Sequence, residues 1–201
     1  AGTGDRRAFL AGVALASGAL VVATAGGTVS PLSGVSVLAQ RRPGFGRQGL
    51  PVNKTAVGAR VVDVARDPGY RLVIEGAVRR PLSFTRADLL ARPQRGATLP
   101  IACVEGWSAS AEWGGVPVRD LLALAGARED AEVTVESLQP SGLYRASVLT
   151  ARQAADADTL LALTLWGEAL DIDHGFPVRL VGPNRPGVAQ TKWVHRLVVH
   201  K

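Results

Sequence analysis

A strand-rich α+β domain is expected over residues 51–201, behind an apolar N-terminal helix. Segments that alternate apolar and polar residues outnumber amphipathic ones, the amphipathic ones are short, and neither an internal repeat nor a strand–helix–strand alternation is present. The chain has 201 residues, 47% of them hydrophobic and 20% charged, which suffices to bury a core and is too apolar for disorder.

At the N-terminus, "GDRRAFLAGVALASGALVVATAGGTV" places Arg6 and Arg7 before an uncharged run that continues to Gln40. Its most apolar part, Ala8 to Val29, is long enough for the about 20 residues of a spanning helix. "RRAFL" resembles a twin-arginine export signal; as a permanent anchor, the same segment would keep its arginines on the cytoplasmic side. Both readings place the following domain on the outer (periplasmic or extracellular) face, and the anchor keeps it at the cell membrane. Residues 1–40 are read as this anchor or signal. The anchor is preferred because no convincing small-x-small cleavage site precedes Arg41, and a buried core helix is the remaining alternative. The chain starts with Ala, so residue 1 is not expected to be the natural start. Residues 41–50, inside the Gly-, Pro- and Arg-rich stretch "AQRRPGFGRQGLPVNKTA", form a linker.

In "RLVIEGAVRRPLSF" an alternating strand over 71–75, a turn at Gly76 and a return strand make a hairpin. Thr85, with Asp88 three residues on, caps a short helix that Pro93 ends. "ATLPIACVE" is a buried strand that carries Cys103 at its end, and a turn-rich, Trp-bearing stretch follows. "GVPVRDLLALAGA" is a second short helix, closed by Gly126. "AEVTVESLQ" and "LYRASVLT" pair around Pro140-Ser141-Gly142. "ARQAADADTLLALTLWGEAL" starts helical and becomes a strand; "FPVRLVGP" and "KWVHRLVVH" are the last two strands.

The net charge is +6, with arginines 6, 7, 41, 42 and 47 concentrated near the membrane segment and linker. No basic stripe with interleaved aromatics occurs, so nucleic acid is not an expected partner. The single cysteine excludes an internal disulfide and an all-cysteine zinc or iron–sulfur site within the chain.

Three roles are open to Cys103: a small buried residue, a nucleophile, or a metal ligand. A nucleophile needs a base from His174, His195 or His200, and a metal needs further ligands that the chain scarcely offers. A second feature is "DHGFPVRLVGPNRPGVAQTKWV", residues 173–194. Gly187 lets backbone approach a ligand, while Arg179, Arg185 and Lys192 supply charge, which is the logic of an anion site. A proline-punctuated hairpin with solvated charges fits that stretch equally well. Neither GxxxxGK[ST] nor GxGxxG is present.

Together, "CVEGWS", the following W-x-G-V-P-V-x-D-L-L and "HGFPVRLVGPNRPGVAQTKWV" resemble the molybdopterin-dependent oxidoreductase domain of the sulfite oxidase superfamily. The likeness covers about residues 50–198 and is strongest to its monomeric exported protein-methionine-sulfoxide reductase branch and to membrane-anchored actinobacterial relatives. It implies the sulfite-oxidase-type molybdopterin-binding fold, molybdenum held by Cys103 as the sole protein ligand, and pterin dithiolene sulfurs beside it. It further implies that Asn53 and His174 belong to the cofactor site, that Arg179 reaches the pterin phosphate, and that the Gly187–Lys192 loop, with Arg185 and Gln190, closes over it. The simple pterin form, with no appended nucleotide, is the one implied.

Glu105 could orient a bound water, although pairing with an arginine is the preferred role, and Trp107, Trp113 and Trp193 are read as packing residues. The loop aromatics of the exported reductases are missing from Asn184–Ala189, where the charge survives at Arg185. The dimerisation domain of sulfite-oxidising members is not expected, nor is their arginine-rich pocket, so a bulky or neutral substrate is as compatible as sulfite. The expected activity is two-electron oxygen-atom transfer or a related redox step. Its redox partner would be a membrane haem or quinone-linked protein, because the chain has no haem or iron–sulfur motif. A non-catalytic subunit or interaction module of a membrane complex that keeps the scaffold is the alternative, and a cysteine hydrolase a third.

Overall fold

A computed structural model describes residues 3–25, 46–103 and 107–201. Arg41, Arg42 and Glu105 lie outside these residues, as does the apolar run beyond Ala25.

Helix α1, Thr3–Ala25, carries the apolar segment, and Arg6–Thr24 within it is long and apolar enough to cross a membrane. A 3-10 turn at Arg47–Gly49 and two short helices, α2 (Ala56–Ala59) and α3 (Val62–Arg66), follow. Strands β1 (Leu72–Gly76) and β2 (Leu82–Phe84) form the expected antiparallel hairpin. Its loop is longer than a turn at Gly76, because Gly76 is still paired, to Val199. The cap of α4 (Arg86–Leu90) is reciprocal: Asp88 N donates to Thr85 Oγ1 at 3.0 Å and Thr85 N to Asp88 Oδ2 at 2.8 Å.

Strand β3 (Arg95–Ala102) pairs antiparallel with β4 (Ser108–Pro117), and α5 (Val118–Ala125) ends at Gly126 in the left-handed region, φ +69°. Strand β4 occupies the stretch read as turn-rich and takes the first residues assigned to the second helix. Ala111, Trp113 and Gly115 alternate toward the interior, but Ser110 before them and Glu112 and Gly114 between them weaken that signal in sequence. Strands β5 (Val133–Ser137) and β6 (Ala146–Leu149) pair as expected, and α6 (Ala151–Ala155) precedes β7 (Leu160–Leu165). The chain continues through β8 (Glu168–Ala169), β9 (Arg179–Val181) and β10 (Val194–Val199).

Among the described residues, two sheets result, ordered β2-β1-β10-β5-β6 and β3-β4-β7-β8, with β9 also pairing to β7. Strand β10 runs parallel to β1 and antiparallel to β5, so the C-terminal strand closes the centre of the first sheet. Arg196 on β10 ties the three together by pairing with Glu75 and Glu136. One apolar cluster packs the inner face of that sheet, including Leu72, Ile74, Val135 and Leu197, against α5 and Leu161. A second gathers Leu50, Ile101, Trp107, Trp113 and Leu165 on the other sheet, and a third joins Ala56, Val61 and Ala65 to Trp193. The second and third clusters flank the site, because residues 50–56 run between them.

Candidate functional site

Cys103 directly follows β3, where the register has just paired Ala102 with Ser108. Its backbone N–H donates to Trp107 O at 2.8 Å, which fixes the chain on both sides of the thiol. The side chain is half-buried against the Trp107 and Trp113 cluster. Asn53 comes to it from the other direction. Leu50 is 2% exposed in that cluster, Thr55 caps α2 and Ala56 N–H donates to Asp173 Oδ1, so residues 51–54 are pinned at both ends. Asn53 Nδ2 then donates to Cys103 Sγ at 2.7 Å. Among the described residues, no histidine hydrogen-bonds to the thiol: His174 Nε2 meets Arg47 O at 2.5 Å and His200 meets Thr134 Oγ1 at 2.7 Å, so the histidine base that a nucleophile would use is not in place there.

Asn53, the thiol's partner, also lines a cavity of about 290 Å³ whose wall includes Trp107, Arg179, Gln190 and Lys192 but, among the described residues, not Cys103 itself. Arg179 opens β9 and is almost fully buried, with its guanidinium over the Trp113 ring at 5.1 Å and Nη1 donating to His174 O. Burial pulls its pKa down to about 10, and its Nε is buried without a partner. A buried guanidinium with an orphaned donor is a costly arrangement unless an anion completes it. Gly175 makes room for it. That residue has φ +114°, and a Cβ there would stand 3.1 Å from Arg179 Cβ and 3.2 Å from Lys192 Cα.

Lys192 Nζ donates to Asp173 O at 2.6 Å and to Lys54 O at 3.0 Å. Gln190 is buried, with Nε2 shared between Pro100 O and Arg185 O and its Oε1 unpartnered. Gly187 lines the same wall and presses on the end of β3, where a Cβ would meet Ala102 O at 3.0 Å and Ile101 Cγ2 at 3.1 Å.

Six of the eight predicted residues, Asn53, Cys103, Arg179, Gly187, Gln190 and Lys192, therefore converge on this cavity or its thiol. Two do not. Arg185 turns away, and its guanidinium donates to Ala189 O, Val148 O, Gln153 Oε1 and Ser147 Oγ, which clamps the Gly187–Ala189 turn to β6 and α6. The His174 ring points to the Arg47 carbonyl, behind the cavity, and only its own carbonyl reaches Arg179. Burial, then the Arg179 and Lys192 charges, hold the His174 pKa near 4, so the ring is neutral.

Lys54, Gln139 and Thr191 also line the cavity and went unread in the sequence. Lys54 carried a usable signal, as one of three lysines in an arginine-rich chain and the neighbour of Asn53. Among the described residues, no Asp or Glu lines the cavity, and no three His, Cys, Asp or Glu side chains are grouped to hold a metal. The donor set is one thiol beside a cationic pocket with orphaned buried groups, which suits an anionic cofactor that brings the metal's other ligands with it.

Such a site defines a cofactor-binding redox domain. The sequence pattern described as the oxidoreductase molybdopterin binding domain matches residues 59–201, and the chain belongs to that family, within the sulfite oxidase superfamily. It is 34% identical over 140 residues to the putative protein-methionine-sulfoxide reductase subunit YedZ1 of Azospira oryzae, covering 70% of this chain and 51% of that protein. It is also 34% identical over 166 residues to sulfite oxidase of Gallus gallus, covering 69% and 36%. The crystal structure of the sulfane dehydrogenase SoxCD from Paracoccus pantotrophus superposes with a TM-score of 0.61 at 33% identity, covering 66% of this chain and 38% of that one. The chain thus spans about half or less of the length of these relatives. Family membership implies a molybdenum–molybdopterin cofactor, and the residues described above fit it.

Proposed function

We propose that this chain is a molybdopterin-dependent oxidoreductase that carries out a two-electron oxygen-atom transfer outside the cytoplasmic membrane, with Cys103 as the metal's protein ligand. The observation that carries the reading is the Asn53–Cys103 hydrogen bond at the edge of a cavity lined by Lys54, Arg179 and Lys192. Bound molybdopterin supplies a centre able to exchange two electrons and an oxygen atom with substrate.

The protein's part is to bind, orient and exclude water. Cys103 offers a sulfur, held by its backbone N–H to the Trp107 carbonyl and by the Asn53 amide at Sγ, that would bind molybdenum as a soft thiolate, and hydrogen bonds of this kind orient a ligand and tune the metal it holds. Arg179 and Lys192 would compensate the pterin phosphate; the Arg179 guanidinium sits on the Trp113 face, where it is shielded from water and its charge is felt strongly. Gln190 Oε1 supplies an acceptor to the same wall. Residues 51–201 form the cofactor domain in this reading, residues 1–40 attach it to the membrane, and 41–50 link the two. The exposed apolar α1 and a relative that is itself named a subunit support a membrane location and a separate redox partner, a haem or quinone-linked membrane protein.

Metal and pterin analysis of the chain purified from a cofactor-producing host tests the reading. One molybdenum and one pterin per chain are expected, and Cys103→Ser is expected to remove activity while the melting temperature stays close to the parent's. A wild-type sample that carries neither molybdenum nor pterin overturns it.

A further inference from the structure

Lys54 occupies an unusual position in the cavity. Its ammonium donates to Gln139 Oε1 at 2.5 Å, and a Cβ placed on Gly142 would lie 3.4 Å from Nζ, so the charge sits under the loop joining β5 to β6. Gln139 is buried, and its amide nitrogen is committed to Ser137 Oγ at 3.2 Å, which aims Oε1 at Lys54. The Lys54 carbonyl meanwhile accepts from Lys192 Nζ, so the two lysines are coupled through one backbone. Among the described residues, no carboxylate pairs with the Lys54 ammonium. A neutral amide leaves the ammonium's charge uncompensated, so an anion that enters the same cavity gains a Coulombic attraction that Gln139 does not offer.

We propose that Lys54 is a third cation for the phosphate of the cofactor, beside Arg179 and Lys192, and that Gln139 holds it in place until that phosphate arrives. The inference rests on the molybdopterin reading given above. It makes Gln139 a positioning residue, which acts only through Lys54.

The test measures pterin retained per chain after prolonged dialysis, in the full chain purified from a cofactor-producing host, alongside the melting temperature of each variant. Lys54→Met keeps the aliphatic stem and removes the charge, and should lower retained pterin by about tenfold, the effect of losing one charge-assisted hydrogen bond. Lys54→Arg restores the charge and should retain most of it. Gln139→Glu gives Lys54 a permanent carboxylate partner and places a negative charge in the wall, so retention should again fall. Lys54→Met retaining the wild-type amount of pterin overturns the assignment, as does Lys54→Arg losing as much as Lys54→Met. A wild type that contains no pterin overturns the molybdopterin reading itself, and the Lys54 assignment with it, so the two failures are told apart by the wild-type sample.

Discussion

His174 shows how one buried side chain sets a pH limit on the molecule. Free histidine titrates near 6.5, and burial, reinforced by the charges of Arg179 and Lys192, lowers this one to about 4 against the opposing pull of the Arg47 carbonyl. Between those values the unfolded chain binds a proton that the folded chain refuses. Stability is therefore complete above about pH 6.5 and declines as pH falls toward 4, by up to about 3 kcal/mol. His174→Gln retains an N–H for the Arg47 carbonyl and cannot titrate. Urea unfolding of detergent-solubilised chain, followed by tryptophan fluorescence at neutral pH and near pH 4.5, should show a shallower loss of stability in the variant. Equal losses in both proteins would mean that His174 titrates in the fold as it does in the unfolded chain. Residues of this type are the ones sequence reading places least well. Cys103, Arg179, Gln190 and Lys192 were legible because their types and order carry the family's motif. Whether His174 and Arg185 face the cavity depends on rotamers, and those are chosen by distant carbonyls such as Arg47 O and Val148 O.

At the level of elements, the site is the junction of the end of β3 with the Gly187–Ala189 turn, and the fit between them is tight. A side chain at Gly187 would press on Ala102 O and Ile101 Cγ2, both directly before Cys103. Gly187→Val should cost about 1–3 kcal/mol by overpacking and, by pushing the turn off the strand, reduce bound pterin. Gly96→Val is the control, since the same strand offers open space there. Thermal melts and pterin content read together decide the matter: equal behaviour of the two variants would show that the contact yields freely. The elements themselves were largely readable, because hairpin β1–β2, the capped α4 and the pair β5–β6 each carry a local signature. Strand β4 and helices α2 and α3 were missed for two reasons. The first contains glycines at its irregular step, Gly114–Gly115, and the others are four and five residues long, less than two turns of periodicity.

For the whole molecule, the decisive contrast is between a domain with three buried apolar clusters and a helix that buries nothing. Phe9, Leu10, Leu15 and Leu20 on α1 are 54–76% exposed, and no residue of Arg6–Thr24 is buried within the described chain. Exposed apolar area on that scale is a driving force for transfer out of water at roughly 25 cal/mol per Å². A helix of the 19 residues Arg6–Thr24 rises roughly 28 Å, close to the about 30 Å of a bilayer's hydrocarbon core. Under the proposed anchoring, Arg6 and Arg7 at its N-terminal end would stay on the cytoplasmic side and the cofactor domain would lie on the other. The chain should consequently stay in the membrane pellet through alkaline carbonate washing, and protease added outside intact spheroplasts should digest the cofactor domain. Release by carbonate would reduce α1 to something other than an anchor. A membrane-bound domain that protease reaches only after lysis would invert the orientation and move the site to the cytoplasmic face.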